Sequence, residues 1–229
     1  MNTEYRPPHR VRAARWFLRP LFRGIFRLIS RVTIDGWENI PKHGAYLIAA
    51  NHVSLYDPPL VLAFWPVAAE AAGAVEIWQR TGQSLLVSWY GTIPVHRGAY
   101  DRQQLETMQA ALSSGRPLLI LPEGGRSHTP GLRRAAPGAA YLVEKSGVPV
   151  LPVGVVGTTD DFLPRALRGK RPAVHMSIGA PFFLPPIKSK GDVRRSERQR
   201  NVDMIMSHIA VLLPSEYRGV YADPAGFLN

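Results

Sequence analysis

In the stretch NHVSLYDPP, residues 51–59, a histidine, His52, is followed five positions later by a carboxylate, Asp57. A histidine can take up a proton near neutral pH. A carboxylate on its other ring nitrogen fixes the tautomer and stabilises the imidazolium. The same residues admit a structural reading, in which a loop histidine stands beside an aspartate that caps a helix ahead of Pro58 and Pro59. Five residues turn a helix by about 140° beyond a full turn, so these two side chains cannot share one helical face. They meet only if His52 lies in a loop and Asp57 in a turn, or first helical turn, that folds back toward it.

Other chemistries are bounded by what the chain holds. It has no cysteine, which removes disulfides, thiolate metal sites and a cysteine nucleophile together. Ser54 and Ser127 are rival nucleophiles of a hydrolase, but no Gly-x-Ser-x-Gly elbow occurs. His52, His96, His128 and His175 match no metal-ligand spacing, so no metal is expected.

The elements that must position this pair follow from apolar runs and punctuation. RVTIDG and AYLIAA (45–50) read as strands, the second running straight into Asn51-His52. PPLVLAFWPVAAEAA opens with proline at a first-turn position, so a helix starts near residue 58. GTIPVHRG (91–98) holds the end of a short strand. Asp101 caps a helix over 101–114 that Gly115 ends. PLLILPEGGRS (117–127) is a buried strand breaking into a loop, and a helix near 137–146 leads to the strand at 148–157. A strand covers 173–179, and a last helix runs from 196 to 213, with Ser196 and Gln199 spaced as a capping box. Its inner stripe is Val202, Ile205, Met206, Ile209 and Leu213. The Arg/Lys-rich run 188–200 reads as a solvated loop and helix start. Near-continuous apolar strands alternating with helices indicate an α/β domain with a mainly parallel sheet flanked by helices. In such sheets the loops at the strands' carboxyl ends form the binding crevice, and NHVSLYD and PEGGRS both leave such ends.

The net charge is +11, and about +7 of it sits in residues 1–31, where eight arginines face one acid, Glu4. Such a segment suits an anionic partner. Residues 11–30 pair apolar residues with arginines at helical spacing, and Pro20 kinks this helix or opens a second one. This separates an N-terminal basic amphipathic segment, 1–31, from the α/β domain, 32–229. Arg15, Arg19, Arg23 and Arg27 form a slanting stripe expected to face lipid phosphates. Trp16, Phe17, Phe22 and Phe26 are expected to enter the interfacial layer or pack beneath the helix. No run of 18 apolar residues suggests a spanning helix, and no signal-peptide pattern suggests export. The expectation is a peripheral protein on the cytoplasmic side of a membrane. Nucleic acid is disfavoured because the arginines share their helix with many large apolar residues.

Read in chain order, Asn51-His52 with Asp57, GTIPVHR (91–97), LPEGGRS (121–127) and VPVLPVG (148–154) resemble the glycerolipid acyltransferase family. Its best-known members are lysophosphatidic acid (1-acyl-sn-glycerol-3-phosphate) acyltransferases, and the resemblance spans roughly residues 35–157. It implies transfer of a fatty acyl chain from a thioester, on CoA or an acyl carrier protein, to a lysophospholipid hydroxyl, with no other cofactor. His52 is then the base and Asp57 its orienting partner. Arg97 and Arg126 bind the acceptor phosphate, Glu123 orients one of them or the acceptor, and Gly124, Gly125 and Ser127 complete the substrate loop. Backbone N–H groups near Gly124-Gly125, or at the start of the helix at 58, are candidates for the oxyanion. Gly125 stands where the family usually has threonine, and His96 where many members carry aspartate. Glycerol phosphate and a lyso-aminolipid remain alternative acceptors. A non-enzymatic basic membrane- or nucleic-acid-binding module is the alternative of another class.

Overall fold

The computed structural model describes residues 5–98 and 101–227. Among these residues seven strands form one sheet in the order β1-β7-β6-β2-β5-β3-β4. They are β1 (Arg31–Asp35), β2 (Leu47–Ala50), β3 (Glu70–Ala74), β4 (Ile93–Val95), β5 (Leu118–Ile120), β6 (Val150–Val156) and β7 (Ala173–Ile178). All neighbours run parallel except β6 and β7.

The central strand shows why the sheet is covered twice. Leu47, Ile48, Ala49 and Ala50 of β2 are all buried, and the period-two pleat sends them alternately to opposite faces. Leu47 and Ala49 pack with α4 (Arg102–Ser113), α5 (Gly138–Ser146) and α7 (Gly191–Val211). Ile48 and Ala50 pack with α2 (Asp57–Phe64), Phe26 of α1 (His9–Ile29) and Phe162 of α6 (Phe162–Leu167).

Four expectations change. Pro20 neither divides nor ends α1, which is one helix of 21 residues. The chain after Pro66 is not helical. Glu70–Ala74 is strand β3, and α3 (Gln83–Tyr90) lies beyond it. The last helix begins at Gly191, five residues before the expected Ser196 cap, so no capping box forms there; Gln199 Nε2 instead donates to Asp203 and to the Ala135 carbonyl. The basic run at 188–200 is not simply solvated, because Arg194 and Arg198 both clasp Glu144 of α5.

The largest reversal concerns α1, which packs against α2 and α3. Arg15, Arg19 and Arg23 turn inward, against the expectation that they face lipid, while Arg27 stays exposed. Arg15 is 2% exposed and makes a bidentate pair with the buried Glu70, at 2.7 and 2.6 Å. Arg116 Nε reaches the same carboxylate at 2.6 Å. Arg19 donates to the carbonyls of Leu62 and Trp65, and Arg23 to that of Ala63. Arg27 lies over the Phe64 ring. The physical reason is the end of α2. Its last carbonyls have no helical partner, carry the negative end of the helix dipole, and attract guanidinium donors. Phe26 is buried and Phe22 is half-buried against the core. The outward face of α1 is apolar: Trp16 (81% exposed), Phe17, Leu21, Ile25 and Leu28 (74%). Leu85, Leu86 and Trp89 of α3 are exposed as well.

Candidate active site

The site lies where three adjacent parallel strands, β5, β2 and β6, release their chains. At the end of β2, Asn51 is buried and acts as one more rung of the ladder. Its amide donates to the Val155 carbonyl at 2.8 Å and accepts from the Val155 N–H at 2.7 Å. The side chain does the work of backbone, so the chain can leave the sheet one residue early and turn His52 into the crevice.

The fold-back needed for His52 to meet Asp57 is present. Asp57 opens α2, with prolines at the next two positions, and its carboxylate is completely buried. Its Oδ2 accepts from His52 Nδ1 at 3.0 Å and from the Ser54 N–H at 2.8 Å, and Thr158 Oγ1 donates to Oδ1. A carboxylate in this position only accepts, so the proton of the imidazole sits on Nδ1. Nε2 has no protein partner among the described residues, and its lone pair is available to a substrate proton. The His52 side chain is 12% exposed. Asp57 therefore orients the histidine and does not cap α2, since none of its bonds goes to a donor of the first turn.

Thr158 was missed by sequence reasoning. It lies 101 residues from Asp57 and belongs to the polar TTDD burst that leaves the end of β6. Gly157 makes the turn that delivers it. Its φ is +91°, and a side chain there would meet the Ala173 carbonyl oxygen at 2.2 Å. The expected pattern of polar loops at strand ends was the signal that pointed to it.

Glu123 was expected to orient one of the arginines or the acceptor, and no arginine side chain pairs with it among the described residues. Its carboxylate is a clamp between two loops. Oε1 accepts from the His52 N–H at 2.7 Å and Oε2 from the Arg133 N–H at 2.9 Å. Burial is the main cause that raises its pKa to about 7, opposed by the two backbone N–H groups. The loop beyond it is sewn to the histidine loop by Ser127 N–H to the His52 carbonyl, 2.9 Å, and His128 N–H to the Val53 carbonyl, 3.1 Å. The Ser127 hydroxyl donates to the Thr129 carbonyl at 2.7 Å, so it is engaged within its own loop and does not stand free for a ligand. Ser54 is fully buried and its Oγ accepts from the Tyr56 N–H, which removes it as a nucleophile.

The oxyanion candidates narrow to one place. Pro58 and Pro59 have no N–H, and Leu60 donates to the Tyr56 carbonyl, so the start of α2 offers nothing at 58–60. Gly124 N–H is taken by the Leu121 carbonyl. The N–H groups of Gly125 and Arg126 have no acceptor among the described residues. Arg97 and Arg133 bring their guanidinium ends to Gly125, and the Arg126 carbonyl accepts from Arg133 Nη1 at 3.1 Å.

A second histidine–carboxylate pair at the same spacing, His96 and Asp101, makes a useful contrast. His96 Nδ1 is 3.2 Å from Asp101 Oδ2, but both groups are partly exposed and Asp101 is occupied in capping α4 through the Gln104 N–H. Spacing alone does not build an oriented base; burial of the acid does. No cluster of metal-ligating side chains occurs among the described residues.

A buried, triply bonded carboxylate behind one histidine, at the strand ends of a mainly parallel sheet, is an arrangement suited to proton transfer. A family model described as Acyltransferase matches residues 31–156, more than half of the sequence, and the chain belongs to that family of enzymes. It is 29% identical to the lyso-ornithine lipid O-acyltransferase of Pseudomonas aeruginosa over 92% of this chain and 84% of that one. It is 22% identical to the 1-acyl-sn-glycerol-3-phosphate acyltransferase of Borreliella burgdorferi, over 65% of this chain and 60% of that one. The crystal structure of the 1-acyl-sn-glycerophosphate acyltransferase of Thermotoga maritima shares the fold, with a TM-score of 0.57 over 85% of this chain and 78% of that one, at 24% identity.

Proposed function

We propose that this enzyme transfers a fatty acyl chain from a thioester to the free hydroxyl of a lysolipid with an anionic head group, using His52 as general base. The observation that carries the reading is the 3.0 Å contact of His52 Nδ1 with the completely buried Asp57 carboxylate. With Nδ1 occupied, Nε2 takes the hydroxyl proton as the oxygen attacks the thioester carbonyl. The new C–O bond gives a tetrahedral oxyanion, for which the uncommitted N–H groups of Gly125 and Arg126, in the loop bonded to the His52 carbonyl, are the backbone donors. Collapse breaks the C–S bond, and the imidazolium returns its proton to the departing thiolate. CoA and an acyl carrier protein both fit as the thiol.

Lysophosphatidic acid is the first acceptor to test. A lyso-aminolipid is the second, favoured because the similarity to a lyso-ornithine lipid acyltransferase extends over most of both chains. No described helix is long and apolar enough to cross a membrane. The outward apolar face of α1, extended by α3, supports a peripheral contact in which Trp16, Phe17 and Leu28 enter the interfacial layer of a bilayer and the arginines hold the helix to the protein. The cytoplasmic face of the membrane is the proposed location.

The test is product formation by purified protein from a panel of lysolipids with both thioester types, resolved by mass, beside His52→Ala. The variant is expected to lose acyl transfer while its melting temperature stays within a few degrees. An active His52→Ala enzyme would end this reading.

A further inference from the structure

Gly125 is not required by its backbone. Gly124 beside it sits at φ +65°, where glycine is favoured, but Gly125 has no such conformation. What its missing side chain leaves is space between two cations. A Cβ built there would lie 3.3 Å from Arg133 Nη1 and 3.9 Å from Arg97 Nη1. Neither guanidinium pairs with a carboxylate among the described residues, and the nearby Glu123 spends both oxygens on backbone N–H groups.

Arg133 is held beside this point by the fold. Arg133 Nη1 is steered by the Arg126 carbonyl, its N–H is fixed by Glu123, and the preceding Leu132 N–H bonds the Tyr217 carbonyl at 2.9 Å. The void also has a fixed relation to His52, because Ser127, two residues on, donates to the His52 carbonyl. Two guanidinium groups close to one point of the loop that is bonded to the His52 carbonyl suit an oxyanion, whose oxygens can accept from both at once.

We propose that Gly125, Arg97 and Arg133 form a notch that holds the oxyanion of the acceptor's head group, with Arg133 a specificity-determining residue that the sequence motifs do not include. The inference rests on the acyl-transfer reading above. The ligand is a phosphate or a carboxylate carried by the lysolipid, and the experiment separates the two.

Steady-state rates are measured on the full chain in mixed micelles with lysophosphatidic acid, a lyso-aminolipid bearing a free carboxylate, and uncharged monoacylglycerol. The variants are Arg133→Gln, Gly125→Ala and, as a control for bulk charge, Arg134→Gln. Arg133→Gln is expected to raise the KM for the anionic acceptor at least tenfold, with the thioester KM and the monoacylglycerol rate within twofold. Gly125→Ala is expected to raise the KM for the anionic acceptor as well, because its methyl crowds Arg133 Nη1 without straining the backbone. Arg134→Gln leaves all three unchanged. The acceptor whose KM responds identifies the head group. A rise in the thioester KM assigns the arginines to the donor and overturns the notch, as does an equal effect of Arg134→Gln or an equal loss with monoacylglycerol. If Arg133→Gln does not fold, Gly125→Ala, which removes no hydrogen bond, decides alone. Active wild type with unaltered variants sinks the notch and spares acyl transfer. Wild type inactive on every acceptor sinks both.

Discussion

Asp57→Asn tests whether the buried charge behind His52 is used, and the structure sets the size of the effect. Two donors, His52 Nδ1 and the Ser54 N–H, converge on Oδ2, so an asparagine must place its carbonyl oxygen there. Its NH₂ then faces Thr158 Oγ1, a hydroxyl that can turn from donor to acceptor. The imidazole keeps its tautomer and the fold keeps its bonds; only the charge is lost. Two unit charges about 4 Å apart at an effective dielectric of about 20 interact by about 4 kcal/mol. At 1.36 kcal/mol per decade, the imidazolium formed on proton transfer loses stabilisation equal to a rate decrease of about 10³. The assay is release of free thiol from the acyl thioester, with and without lysolipid, beside a thermal melt. The expected result is a thousandfold loss of the lysolipid-dependent rate with a melt within a few degrees of wild type. A rate within tenfold of wild type would refute the reasoning, since the charge would then be idle. A large fall in melting temperature would make Asp57 structural first. Thr158→Val, which leaves the charge and removes one donor from it, should cost only about 1–3 kcal/mol, or roughly 10- to 100-fold.

Three further outcomes are expected. Arg15→Leu breaks one of two arginine pairs on the buried Glu70. The low end of the range for such losses, about 3 kcal/mol, lowers the melting temperature by about 6–12 °C; a fall under 3 °C would show that Arg116 and Tyr5 suffice to hold the carboxylate. Changing Trp16, Phe17 and Leu28 together to serine should release the protein from anionic vesicles in a sedimentation assay without lowering its melt, because these side chains touch little of the core; retention on the vesicles would move the membrane contact elsewhere. Glu123, raised by burial from 4.5 to about 7, binds a proton in the folded state that the unfolded chain releases. That stabilisation is complete below the unfolded value and disappears as pH rises through about 7. Denaturant titrations of wild type and Glu123→Gln should therefore diverge between pH 5 and 8, wild type losing up to about 3 kcal/mol relative to the variant, and parallel profiles would count against it.

The crevice was legible in the sequence because its two loops leave long apolar runs, and apolar runs of that length become buried strands whether read singly or together. Strand β3 was not, since Glu-Ala-Ala-Gly-Ala has helix formers and a charge where a buried strand usually has branched side chains. Glu70 is buried only because Arg15 and Arg116, 55 and 46 residues away, neutralise it. The same long-range partnership misled the reading of α1. Periodicity separates two faces of a helix but does not say which faces the protein, and the carbonyls that drew the arginines inward belong to another helix. Thr158 and Arg133 were missed for the same reason: each acts through a bond that spans loops, and the polar stretch after β6 marks a loop at a strand end without saying which of its residues reaches Asp57.

The clamp made by Glu123 has a consequence for how this scaffold can change its substrates. One carboxylate gives an oxygen to the backbone of His52 and the other to the backbone of Arg133. A rerouted arginine loop would drag the proton acceptor with it, and selectivity and turnover would fall together. New head-group preferences are therefore open mainly to substitutions that leave the main chain in place, by adding or trimming side chains along the loop. The bare Cα of Gly125 is one such position, where a single methyl alters what fits and moves no strand.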